Sequence, residues 1–149
     1  MMRSITNPEG AVGYFFEDLD VGMSDAVSHA VTDEDVVKFA EVTGDVNPVH
    51  LNEDYAKTTM FKGRIAHGIF GAGMISAVFG TKMPGPGCIY VHQNLKFRAP
   101  VMLGDTITAT VTVTSKDEER GFVYFDTVCT VNGKPVIKGD AALMVPKKA

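Results

Sequence analysis

The most constraining stretch of this chain is residues 66–80, AHGIFGAGMISAVFG, which carries no Lys, Arg, Asp or Glu and includes four glycines between Arg64 and Lys82. It is too short to cross a bilayer, and its apolar character predicts a buried helix. Each glycine costs a helix interior roughly 1 kcal/mol relative to alanine, so something must pack close to the backbone. A sheet wrapped around one helix satisfies both conditions.

The last third of the chain supplies such a sheet. Residues 89–97 read as a strand. In 106–114, Ile107, Ala109, Val111 and Val113 alternate with threonines, the pattern of a two-faced strand. A charged turn at 117–121 leads into a strand at 122–131, and Asn132-Gly133 predicts a tight hairpin into a final strand ending near Val145.

The first half is helical in character. Residues 1–13 predict a loosely ordered extension, and 14–23 an irregular lead-in before a short strand at 26–31. Thr32 is placed to cap a helix whose first turn holds Asp33, Glu34 and Asp35 and which Gly44 ends. Pro48 predicts a rigid loop over 45–50, followed by a short helix with Asn52 as its cap. Helices followed by an antiparallel meander define an α+β chain with one domain, 1–149. The open sheet edges predict a homodimer.

With 149 residues, 45% of them hydrophobic, the chain suits one core and not two. A net charge of −4 without a basic block suggests neither a nucleic-acid nor an anionic-membrane face. Cys88 and Cys129 sit in apolar strand-like runs, outside any metal or redox spacing. The first residues contain no apolar run of signal-peptide length, so a cytoplasmic protein is expected.

Asp45-Val46-Asn47-Pro48-Val49-His50 resembles the D-x-N-P-x-H signature of the MaoC-like, R-specific enoyl-CoA hydratases. Gly63 to Gly68 resembles the segment leading into that family's central helix, and Phe97 to Asp105 a turn between two of its strands. The resemblance covers nearly the whole chain. It implies a hot-dog fold, an antiparallel sheet wrapped around a long apolar helix, and reversible hydration of trans-2-enoyl-CoA to (R)-3-hydroxyacyl-CoA. A place in fatty-acid metabolism or in polyhydroxyalkanoate precursor supply is implied with it. In one departure, Gly73 stands where relatives often have serine, with Ser76 three residues later.

Hydration of an enoyl thioester needs a base for water, a proton for the α-carbon and a hole for enolate charge. A carboxylate and an imidazole on one water do the first two. Asp45 and His50 are the expected pair, with Asn47 and His67 organising the site. The resemblance assigns the hole to the backbone at Gly68, at the helix N-terminus. Plainer alternatives are an Asx turn for Asp45 and close packing for Gly68. No metal or other cofactor is expected. Lys62, Arg64, Lys96 and Arg98 are candidates for the CoA phosphates, and Ile69, Phe70, Met74 and Phe79 for closing the acyl tunnel. His29 and His92 receive no role.

Two other readings compete. A hot-dog thioesterase would attack the thioester carbonyl, but its relatives usually place a carboxylate on or near the central helix, and residues 66–80 have none. A non-catalytic acyl-thioester binding subunit would have no need of both Asp45 and His50.

Overall fold

A computed structural model describes residues 13–149. The expected N-terminal extension therefore falls almost wholly outside the described residues. Its last residue, Gly13, lies against the backbone of Pro84–Pro86, where a β-carbon would collide.

Local signals set the first elements. A strand, β1 (Ser24–Ala30), runs to the cap of helix α1 (Asp33–Thr43). The Thr32 hydroxyl accepts from the Asp35 N–H at 3.1 Å, and the Asp35 carboxylate accepts from the Thr32 N–H at 2.9 Å. Gly44 closes the helix with φ 78°, a left-handed conformation that glycine adopts without strain.

The loop expected over 45–50 is half helix. Pro48 starts a single turn, α2 (Pro48–Leu51), because at the first helical position its missing N–H has no bond to lose. Asn47 caps this turn, accepting from the Val49 N–H at 3.2 Å. Another turn, α3 (Glu53–Ala56), follows, capped by Asn52 as expected.

The long apolar segment forms α4 (Gly68–Thr81). Strands β2 (Ile89–Phe97), β3 (Thr106–Asp117), β4 (Phe122–Val131) and β5 (Lys134–Met144) complete an antiparallel sheet in the order β1-β3-β4-β5-β2. Asn132 and Gly133 both have positive φ, 50° and 76°, as the tight hairpin requires. The threonine-rich strand β3 buries Ile107, Ala109, Val111 and Val113 on its inner face.

These side chains meet Ile75, Val78 and Phe79 of α4 and Val123, Phe125 and Leu143 of the sheet to form the core. The sheet covers only one side of α4. Ile69, Gly73, Ser76, Ala77 and Gly80 lie exposed on the other, so the helix is half-enclosed where the sequence predicted full burial. The helix packs chiefly on β3, β1 and β4, and it touches β2 at Phe97, beside Gly68, and at Tyr90, beside Phe79. No helix among the described residues is long and apolar enough to cross a membrane.

Candidate active site

Three segments converge where α4 begins. The loop after α1 carries Asp45, α2 carries His50, and the residue before Gly68 is His67. One ligand atom from each of these three side chains lies within 4.8 Å of the others. The sequence places Asp45 and His50 five positions apart; the helical turn started by Pro48 bends the chain so that both face the α4 N-terminus.

Hydrogen bonds fix the tautomers of both rings. His50 Nδ1 lies 2.8 Å from the Ile65 carbonyl, which can only accept, so Nδ1 carries the proton and Nε2 keeps its lone pair. His67 Nε2 donates to the Asp45 carbonyl at 2.9 Å. That leaves His67 Nδ1 as a buried lone pair without a partner among the described residues. The rings stack with centroids 3.9 Å apart, and they are only 8% and 3% exposed. Burial above all holds the His50 pKa below its ordinary value; the neighbouring His67 adds to this, while the Ile65 carbonyl and Asp45 oppose it. His50 is therefore held as the neutral imidazole, with Nε2 free to accept a proton.

Asp45 is exposed on its loop. One carboxylate oxygen accepts from the Asn47 N–H at 3.3 Å, an Asx turn, and its own N–H donates to Thr43 Oγ1 at 3.2 Å. The turn and the approach to His50 coexist, since a carboxylate has a second oxygen to offer. Arg64 braces the site from behind: its Nε donates to the His50 carbonyl at 2.6 Å and its guanidinium pairs with Asp33, also at 2.6 Å.

Beside these groups opens a cavity of about 360 Å³, lined by His50, His67 and Gly68 and walled mainly by apolar side chains such as Phe61, Phe97, Val101 and Ile137. Gly68 is the first residue of α4, and no side chain caps that end, so its N–H is among those without an intrahelical partner. The helix dipole makes this the positive end of α4. The ring of Phe97 lies 2.8 Å from where a Gly68 β-carbon would stand, so the glycine also answers to close packing.

The expected substrate-binding residues are scattered. Arg98 lines the cavity; Lys62, Arg64, Lys96, Ile69, Phe70 and Met74 do not. Arg64 is engaged with His50 and Asp33 as above. Lys96 faces a shallow depression on the outer side of the sheet, beside Asn94, Asp126, Lys138 and Asp140. Phe70 packs on Phe39, which in turn packs on His67. Ile69 points out from the open face of α4, Met74 and Phe79 are in the core, and Lys62 is exposed at φ 60°. The wall residues Phe97, Ile107 and Ile137 escaped the sequence reading because each belongs to an inner face whose register is set by strands far apart in the chain, and Val101 because it stands on the connection between β2 and β3.

Asp45, His50 and His67 are the side chains that could together grip a small ligand, a water or a cation. Two of the four imidazole nitrogens are already bound to backbone carbonyls, which leaves one lone pair on each ring.

An antiparallel sheet of five strands packed across one long apolar helix is the hot-dog fold. Residues 20–133 match the MaoC like domain, and the chain belongs to that family. It is 56% identical over 91% of its length to an (R)-specific enoyl-CoA hydratase of Rhodospirillum rubrum, spanning 94% of that protein. It is 47% identical to a 3-hydroxybutyryl-CoA dehydratase of Methylorubrum extorquens, over 90% of this chain and 85% of that one. The solved structure of an unliganded R-hydratase from Pseudomonas aeruginosa superposes with a TM-score of 0.87 at 39% identity, covering 91% of this chain and 88% of the other.

Proposed function

We propose that this protein is an (R)-specific enoyl-CoA hydratase in which Asp45 and His50 are the acid–base pair and the Gly68 N–H holds the enolate. Kinship to relatives with this activity supports the reaction. The observation that carries the assignment of residues is the buried His50, with Nε2 unprotonated, close to the Asp45 carboxylate and lining the same cavity as Gly68.

Water sits between Asp45 and His50. His50 Nε2 takes its proton as the oxygen bonds to the β-carbon, and charge moves onto the thioester oxygen at the α4 N-terminus. The pair then returns the proton to the α-carbon, with Asp45 stabilising the transient imidazolium. No electrons leave the substrate, so the reaction calls for no redox cofactor, and the water needs no metal to activate it. His67 and Asn47 organise the site: His67 ties the Asp45 carbonyl to the start of α4, and Asn47 shapes the turn between Asp45 and His50.

The substrate is a free acyl-CoA, with Arg98 at the cavity mouth available to the phosphates. The chain acts in the cytoplasm, in fatty-acid metabolism or polyhydroxyalkanoate precursor supply, as a homodimer joined along β2. That edge exposes Ile89, Tyr90 and Val91, an apolar run that a second copy would cover.

The test is the absorbance of the enoyl-thioester band of crotonyl-CoA, with a thiol reagent in a parallel cuvette. Loss of the band without free thiol is expected; thiol release would make the protein a thioesterase, and silence in both a binding subunit. Asp45→Asn and His50→Ala should each lower turnover about 10²–10⁴-fold while the circular dichroism stays unchanged. Near-normal turnover in either variant would remove that residue from the mechanism.

A further inference from the structure

The inner face of the sheet carries a cross-strand row that passes directly beneath the start of α4. In register, Phe97 of β2 stands opposite Ile137 of β5, Ile137 opposite Cys129 of β4, and Cys129 opposite Ala109 of β3. Exposure falls along this row from 52% at Phe97 to 2% at Ile137 and 0% at Cys129 and Ala109. Size falls with it, from a phenyl ring to a methyl group.

Two glycines of α4 cross over the row. Gly68 lies over Phe97, and Gly71, one turn further, lies over Ile137: a β-carbon at Gly71 would stand 2.5 Å from Ile137 Cδ1 and 3.5 Å from Cys129 Sγ. Ile137 thus fills the space that the missing side chain of Gly71 leaves. Both residues are among the buried members of the active-site cavity, as are Ile107, Val101, Ala66 and the two imidazoles. Its exposed members are Met60, Gly68, Phe97, Arg98, Ala99 and Pro100, so Gly68 stands at the rim and Gly71 further in. The phosphates of CoA must stay with solvent at that exposed rim, so an acyl tail attached to a thioester at Gly68 continues inward, past Gly71.

We infer that Ile137 is the floor of the acyl pocket and that its δ-methyl, seated on the bare backbone of Gly71, sets the longest chain the enzyme accepts. The inference rests on the hydratase reading above and adds the residue that limits its substrate. Next beyond Ile137 the row offers the small side chains Cys129 and Ala109 before it reaches Val27 of β1, so shortening residue 137 lengthens the pocket along the sheet. It also moves the chain-length determinant from the central helix, where Ile69, Phe70, Met74 and Phe79 were the expected residues, to strand β5.

The experiment compares kcat/KM for crotonyl-, hexenoyl- and octenoyl-CoA in the full-length protein. Wild type must first hydrate crotonyl-CoA; failure there would overturn the hydratase reading and this inference with it. Given that activity, Ile137→Ala is expected to raise the octenoyl-to-crotonyl ratio about tenfold or more, since one methylene in an apolar pocket discriminates by about 10–200-fold. Ile137→Val, which deletes only the δ-methyl and disturbs folding least, should raise the hexenoyl-to-crotonyl ratio in the same direction. Val113→Ala is the control, an equally buried truncation on the inner face of β3 that is not part of the cavity wall. Unchanged ratios in folded Ile137→Ala and Ile137→Val, or an equal shift in Val113→Ala, would overturn the assignment of Ile137.

Discussion

The two halves of the sheet are built to opposite ends. Under α4, the inner faces of β3 and β4 are sealed: Ile107, Ala109, Val111, Val113, Val123 and Phe125 are all buried against the helix or one another. Beyond α4, β2 keeps little cover, and Phe97 on its inner face is half-exposed. The edges repeat the contrast. At β1 the edge is blunted, because Lys82 donates to the Ala26 carbonyl at 2.7 Å and pairs with Asp25 at 3.0 Å. At β2 the edge is bare and apolar, with a bulge between Tyr90 and His92. The sealed half supplies stability. The open half supplies Phe97 and Ile137 to the cavity wall, where Ile107 of β3 joins them, and the face we assign to the second subunit.

That division is broken most directly by removing bulk from the sealed half. Phe125 is fully buried and packs edge-on to Phe79 with ring centroids 4.8 Å apart. Phe125→Ala should cost about 3–5 kcal/mol of folding stability, read as a lower urea midpoint, while the surviving folded enzyme keeps its chain-length profile. A profile that moves with Phe125 would mean that the two halves are not separate.

A smaller effect separates the two edges. Val91, exposed in the β2 bulge, should when changed to arginine convert the dimer we propose to monomer by light scattering, with a change of only about 0.5 kcal/mol in the stability of the subunit. Ala30→Arg on the blunted edge should leave the dimer intact. Dissociation by Ala30→Arg but not Val91→Arg would place the interface at β1 and reverse the assignment.

The same contrast decides what could be read from the sequence. Elements set by short-range chemistry are legible: β2 and β4 span the runs 89–97 and 122–131 read as strands, Asn132-Gly133 makes the hairpin, and Thr32 and Gly44 bracket α1. Pro48 misled because a proline that forbids continuing a helix also favours beginning one. Along α4, composition announces burial but not its direction, since a helix half-covered by its own sheet looks as apolar as one fully wrapped. Arg64 read as a free cation for a phosphate, whereas its partners Asp33 and the His50 carbonyl are distant in the chain. The cavity wall was the least legible part. Phe97 and Ile137 come together only through the pairing of β2 with β5, which no local pattern encodes.

The finest effect concerns how dry the open half becomes at His50. Burial, reinforced by His67, lowers the pKa of His50, against the opposing influence of the Ile65 carbonyl and Asp45. The neutral ring is the form that accepts a proton, so kcat/KM for hydration should lose activity on the acid side with a midpoint below the ordinary imidazole value of 6.5. Because the unfolded chain protonates first as the pH drops, this group's contribution to stability is present above 6.5 and is lost as the pH falls below it. Asp45→Asn removes an opposite charge that raises the His50 pKa, so the acid midpoint of its residual activity should move further down. An acid limb at or above 6.5 would mean that water reaches His50 freely, and that the open half of the sheet does not shield its reacting groups as the buried imidazole implies.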